Sequence, residues 1–147
     1  MGKLIRICCL LLCAWHYHAL AAADTTLQLQ LEKKVPGTFT NFFADNLGNL
    51  FLVSAGNQVK KLDHELDSAG IFNDVRRYGD IYSLDVNNPL KILIYYRNFT
   101  TIVTADRFLN IRNTIDLRAS GILQARAVAQ SYDNNYWVFD ELDNRLK

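Results

Sequence analysis

Leu50, Ile92 and Tyr136 each open a short apolar run, and they lie 42 and 44 residues apart. Val59, Ile102 and Leu146 fall in the next run of each unit, at intervals of 43 and 44. A period of about 40–45 residues built from short strands is the pattern of a β-propeller blade, which holds four of them. The runs begin at Phe39: Asn41-Phe42-Phe43-Ala44, Leu50-Phe51-Leu52-Val53, Val59-Lys60-Lys61-Leu62, Ile81-Tyr82-Ser83-Leu84, Ile92-Leu93-Ile94-Tyr95-Tyr96, Thr101-Ile102-Val103-Thr104, Ala127-Val128-Ala129 and Tyr136-Trp137-Val138-Phe139. Turn formers separate them, among them Asp45-Asn46-Leu47-Gly48-Asn49, Gly56-Asn57, Asn87-Asn88-Pro89, Asp133-Asn134-Asn135 and Asp143-Asn144. These residue types accept tight or left-handed backbone, or mimic it with side-chain hydrogen bonds. No apolar stripe of helical period persists over three turns. The pattern predicts an all-β meander.

The run chemistry adds a packing requirement. Leu50-Phe51-Leu52-Val53 and Ile92-Leu93-Ile94-Tyr95 are apolar at consecutive positions, so both faces of these strands call for cover. A sheet with one wet face alternates instead. By the same reasoning Trp137, between Tyr136 and Val138, is expected to be buried between sheets. The first strand of each unit (Asn41 to Ala44, Ile81 to Val86 and Ala125 to Gln130) is expected to lie innermost. The expected fold class is all-β, a partial β-propeller of four-stranded antiparallel blades, about two and a half of them over 39–147. A sandwich or a small barrel is the alternative architecture.

The stretch Asp45-x-x-Gly48-Asn49-Leu50-Phe51-Leu52-Val53-x-x-Gly56-Asn57-Gln58-Val59-Lys60-Lys61-Leu62-Asp63 resembles an NHL-type propeller repeat: an acidic turn, Gly-Asn, an apolar strand, a second turn and a basic-apolar strand ending in Asp. Asp133-Asn134-Asn135-Tyr136-Trp137-Val138-Phe139-Asp140 with Asp143-Asn144-Arg145-Leu146-Lys147 repeats it. The unit from Asp85 to Asp106 lacks both glycines and carries Asn88-Pro89 at its turn. The resemblance implies a six-bladed ring serving as a protein- or ligand-binding platform, with some members enzymes. The style of repeat is also similar to that of exported six-bladed propellers of Gram-negative bacteria.

Residues 1–23 read as a secretory signal: Lys3 and Arg6, the apolar Ile7 to Trp15, then Ala21-Ala22-Ala23 as the small residues before cleavage. A lipoprotein reading would acylate Cys13, but Leu12 is too bulky for the position before such a cysteine. A lead-in segment, 24–38, precedes the repeats. Cleavage would remove Cys8, Cys9 and Cys13 together with His16 and His18, leaving His64 as the one histidine. That subtraction excludes thiol catalysis, cysteine-ligated zinc and disulfides in the exported chain. The formal net charge of +1 rules out an obvious electrostatic nucleic-acid binder, and no apolar run reaches the roughly 18 residues of a transmembrane helix.

Lys147 falls within the third strand of the third unit, while a six-bladed ring at this period needs roughly 250 residues. The sequence therefore predicts a fragment of a six-bladed ring, with self-association through open blade faces as a consequence.

The function expected is an exported, non-catalytic platform for a protein or a small ligand, with no cofactor and no metal. The alternative is a lactonase- or hydrolase-like propeller enzyme whose channel site is completed by other blades. Asp63-His64-Glu65-Leu66-Asp67 joins imidazole and carboxylates, the ligand types of a metal site, but the repeat places it in a solvated hairpin turn. Asn41, Asp45, Asp85, Gln130 and Asp133 stand where first strands would meet a channel; none has a histidine partner, and turn formation accounts for them. Arg76-Arg77 and Tyr95-Tyr96 combine cationic and aromatic groups of the kind that hold a sugar, a peptide or an anion, and they are the candidate ligand-binding residues. Asn98-Phe99-Thr100 fits the glycosylation sequon, which is relevant only in a eukaryotic secretory pathway.

Overall fold

A computed structural model describes residues 27–147, apart from the side chains of Val75 and Arg76. The chain divides into two units, Met1–Lys34 and Val35–Lys147. In the first, residues 27–34 have no regular secondary structure, and Leu27, Leu29 and Leu31 are exposed. The signal expected over 1–23 lies outside the described residues. No helix among those residues is long and apolar enough to cross a membrane.

The second unit holds three antiparallel sheets, each a meander in chain order. Blade 1 comprises β1 (Phe39–Ala44), β2 (Leu50–Ser54), β3 (Val59–Leu62) and β4 (Ser68–Phe72), followed by a single helical turn, α1 (Val75–Tyr78). Blade 2 comprises β5 (Ile81–Asp85), β6 (Ile92–Tyr96), β7 (Thr101–Ala105) and β8 (Ile111–Asp116). A 3-10 turn at Leu117–Ser120 leads to blade 3: β9 (Ala125–Gln130), β10 (Tyr136–Asp140) and β11 (Arg145–Leu146). The sheets pack side by side and do not close into a barrel. The fold is therefore all-β, built of repeated antiparallel, propeller-like blades, as the spacing predicts.

The repeat is written in the backbone more clearly than in the residues. A bulge interrupts the first hairpin of every blade, at Thr40, Tyr82 and Arg126, positions 42 and 44 apart. A second bulge falls in the outer strand at Ala69 and again at Arg112. Left-handed backbone recurs at the same period: Asn57 (φ 57°), Thr100 (φ 51°) and Asn144 (φ 52°) in one loop, Leu66 and Leu109 (both φ 67°) in another. Gly48 (φ 80°) and Asn134 (φ 67°) match across blades 1 and 3. Such positions favour Gly and Asn, yet Thr100, Leu66 and Leu109 fill three of them. Tertiary contacts hold Thr100 and Leu109 in place, whereas Leu66 has a local turn bond to the Asp63 carbonyl. The Thr100 carbonyl accepts from the Leu117 N–H at 3.0 Å and its hydroxyl donates to the Leu123 carbonyl at 3.2 Å, while Leu109 is buried in the core.

Strand alternation sorts side chains between two apolar layers. Phe51, Val53 and Val59 of blade 1 meet Ile92, Ile94, Tyr96 and Val103 of blade 2. Leu93, Tyr95 and Ile102 point through the opposite face of blade 2 onto Ala125, Val128, Tyr136 and Val138 of blade 3. Every residue of β6 and β7 is consequently buried, as the double-faced apolar runs require. Trp137 corrects the corresponding expectation for blade 3: it is 50 % exposed. Alternation turns it, with its strand neighbour Phe139, to the face that meets no other described sheet, and only Val138 and Tyr136 pack on blade 2.

Candidate functional site

Loops joining β1 to β2, β5 to β6 and β9 to β10 fall at one end of their sheets, and their carboxylates serve the backbone. Asp45 Oδ1 accepts the N–H groups of Leu47 and Asn49 at 3.0 and 2.9 Å, and its Oδ2 accepts the Asn49 side-chain amide at 2.7 Å. Asp133 accepts the backbone and side-chain N–H of Asn135. Hydrogen bonds from Ser131 and Asn135 hold its carboxyl below the usual range. In the outer loops Asp63 Oδ1 takes the N–H groups of Glu65 and Asp67, and Asp106 Oδ1 those of Phe108 and Asn110. These are Asx-type turns, in which the side chain replaces a backbone acceptor.

His64 lies in the Asp63–Asp67 turn, as the repeat predicts. Its side chain is 73 % exposed, and its Nε2 lies 3.8 Å from Glu65 Oε1. Among the described residues no group of three or more His, Cys, Asp or Glu side chains is placed to hold a metal ion.

Asp85 and Gln130 are the pair of channel-end candidates brought together. Asp85 Oδ2 accepts the Gln130 backbone N–H at 2.8 Å, and Gln130 Nε2 donates to the Lys91 carbonyl at 2.9 Å. Asp85 Oδ1 takes both N–H groups of Asn87. Lys91 Nζ completes the junction by donating to the Asn134 carbonyl at 3.2 Å while lying 4.6 Å from the Tyr136 ring centre. Blades 2 and 3 are thus tied at the ends of their first strands, and a cleft opens over the tie.

That cleft encloses about 210 Å³ between Asp85, Asn87 and Asn88 on one side and Gln130, Ser131 and Asn134 on the other, with the fully exposed Tyr132 at its rim. A second hollow of about 300 Å³ shares Asp85 and Asn87 and runs over Phe43, Leu84 and Val128 of the three first strands. Asn41, Asp45 and Asp133 line neither. No family model matches the chain, and no curated protein matches its sequence.

The four cationic and aromatic candidates do not form one site. Tyr95 and Tyr96 are adjacent in β6 and point to opposite apolar layers, both closed to solvent. The Tyr95 hydroxyl donates to the Ala125 carbonyl at 2.7 Å, and burial raises its pKa. Burial raises that of Tyr96 strongly, with Asp74 and Tyr78 adding to the effect, and its hydroxyl is buried without a hydrogen-bond partner among the described residues. Arg77 is exposed on α1, 5.4 Å from the Tyr78 ring centre, and the Arg76 side chain lies outside the described residues.

The cleft residues that sequence reasoning passed over are Asn87, Asn88, Ser131, Tyr132 and Asn134. All but Ser131 and Tyr132 belong to stretches read as turn formers, and turns they are. Their signal was the clustering of amides, 87–88 and 134–135, in the first hairpin loops of two successive units.

Proposed function

We propose that the chain belongs to an exported, non-catalytic propeller that binds a protein or small ligand at the first-strand ends of blades 2 and 3. The observation that carries this reading is the division of labour in the cleft. The carboxylate of Asp85 is spent on N–H groups of Asn87 and Gln130, whereas side-chain amides line the opening. A general acid or base needs a carboxyl with a free oxygen facing a reactant. An amide lining offers donors and acceptors without proton transfer, which suits recognition. The layout of 1–23 supports export, and the turn-and-strand repeat supports an NHL-type ring of six blades.

A melting-temperature screen of the purified protein against uncharged, anionic and cationic solutes and short peptides tests the reading. At least one class should raise the midpoint, and Tyr132→Ala should abolish the rise. Hydrolysis of a lactone or ester that Asp85→Asn eliminates would replace this reading with an enzymatic one.

A further inference from the structure

We infer that the cleft between Asn87-Asn88 and Gln130–Asn134 is a site for a neutral saccharide, a conclusion that rests on the binding reading above and names its ligand class. The argument starts from which polar atoms remain unused. Asn88 Oδ1 accepts the Leu90 N–H at 3.0 Å, and Asn87 Nδ2 and Gln130 Nε2 are turned inward to Asp85 and to Lys91. That leaves Oδ1 of Asn87, Nδ2 of Asn88, Oε1 of Gln130 and the whole amide of Asn134 without a hydrogen bond among the described residues. The remainder is a mixed set of uncharged donors and acceptors around one opening. A sugar hydroxyl both donates and accepts, so it matches amides of both polarities.

Charged ligands fit worse. Asp85 carries a negative charge at the floor, against an anion, yet three N–H groups already occupy its oxygens, against a cation. The Lys91 ammonium faces the Asn134 carbonyl and the Tyr136 ring rather than the opening. A peptide that binds by adding a strand needs a free edge at the cleft to bond its main chain. Here the end of β9 is capped, because the Gln130 N–H is already held by Asp85.

Size and surface point the same way. About 210 Å³ is below the range of about 300–1,000 Å³ that holds drug-sized ligands, and so admits a single ring-sized solute. Tyr132, fully exposed at the rim, offers an aromatic plane whose face is apolar and whose hydroxyl is wet, the amphipathic surface that a pyranose ring presents in reverse. Asn134 stands exposed in the β9–β10 hairpin on left-handed backbone (φ 67°).

Titration of isotope-labelled protein with methyl glucoside, methyl galactoside and N-acetylglucosamine, followed through backbone amide signals, tests the assignment. Gluconate and glucosamine serve as the anionic and cationic controls. At least one neutral sugar should shift the signals of Asn87, Asn88 and Ser131 to Asn134 at millimolar concentrations, and the charged analogues should not. Tyr132→Ala should weaken binding about tenfold. Asn134→Gly, which keeps the left-handed backbone while deleting the amide, should weaken it about threefold to tenfold. Trp137→Ala, outside the cleft, should leave it unchanged.

Absence of cleft shifts with every neutral sugar overturns the saccharide assignment. If a peptide or a charged solute moves those same signals, the cleft remains a binding site and only its ligand class is wrong. If no solute class moves them, the binding reading falls with it.

Discussion

Blades 2 and 3 carry the same strand pattern and meet different fates. Leu93 and Tyr95 in β6 occupy the positions that Trp137 and Phe139 occupy in β10, one period away. The first pair is fully buried, whereas Trp137 is half in solvent and Phe139 only partly covered. Phe51 and Val53 of blade 1, at the corresponding positions, are again covered, by blade 2. An apolar run on both faces of a strand therefore states that a blade is built to be covered twice. Whether both covers are present is decided by the neighbours, which the run itself does not encode.

The largest expected effect breaks this comparison directly. Tyr95→Ala removes a buried ring and its hydrogen bond to the Ala125 carbonyl, and should cost about 3–5 kcal/mol. Trp137→Ala at the equivalent face of blade 3 should cost about 1 kcal/mol or less, because half of the indole already faces water. Urea unfolding of the two variants measures both. Equal losses would mean that the outer face of blade 3 is covered in solution.

A second pair sharpens the contrast between geometry and burial. Leu66 and Leu109 share a left-handed φ of 67°, but Leu109 is a core residue and Leu66 is half-buried in an exposed turn. Replacing Leu66 by Gly relieves backbone strain at little packing loss and should stabilise by up to about 1 kcal/mol. Leu109→Gly gains the same relief and loses a buried side chain, for a net cost of about 2–4 kcal/mol. Thermal melts of the two variants should move in opposite directions.

The smallest effect concerns the tie at the other end of blades 2 and 3. Glu141 accepts from Gln124 at 2.7 Å, Arg126 at 2.9 Å and Arg97 at 3.1 Å. Hydrogen bonds from Gln124 and Arg126 hold its carboxyl below the ordinary glutamate range. A carboxyl lowered on folding stabilises above its unfolded pKa, and that contribution disappears as pH falls through the folded value. Melting temperature should therefore decline below about pH 4.3, and Glu141→Gln should lower it slightly at neutral pH and shrink the acid-side decline.

The strands that face two layers were the legible part of the sequence. Leu50–Val53 and Ile92–Tyr96 announce themselves by continuous apolarity, and their spacing alone yields the blade. The outer strands β4 and β8 were not, because Ser68-Ala69-Gly70 and Arg112-Asn113-Thr114 sit at wet edges where no apolar pattern is demanded. The turns of blade 2 were obscured for a different reason. Thr100 and Leu109 adopt the left-handed geometry without the residues that advertise it, and their compensation comes from contacts distant in sequence, such as the bond to the Leu123 carbonyl. The cleft was the least legible feature. Its residues are ordinary turn formers, and only the approach of Gln130 to Asp85, 45 positions away, makes them walls of one opening. Tyr95 and Tyr96 erred the opposite way: a polar-looking pair in the sequence is divided by strand alternation between two interiors.

The complete burial of β6 also fixes an order in time. Its amides are bonded to β5 and β7 between two apolar layers, so they exchange only through an opening that breaks the blade 2 ladder itself. Strand β4, exposed over most of its length and bonded to β3 alone, exchanges its protons by fraying at the edge of its sheet. Hydrogen-bond lifetimes are thus graded across each blade, longest in the strand between two layers and shortest along the outer edge. The cleft opens beside the slow strand, because its Asn87-Asn88 wall is carried by the loop that enters β6. Whatever settles there leans on the part of the molecule that opens last.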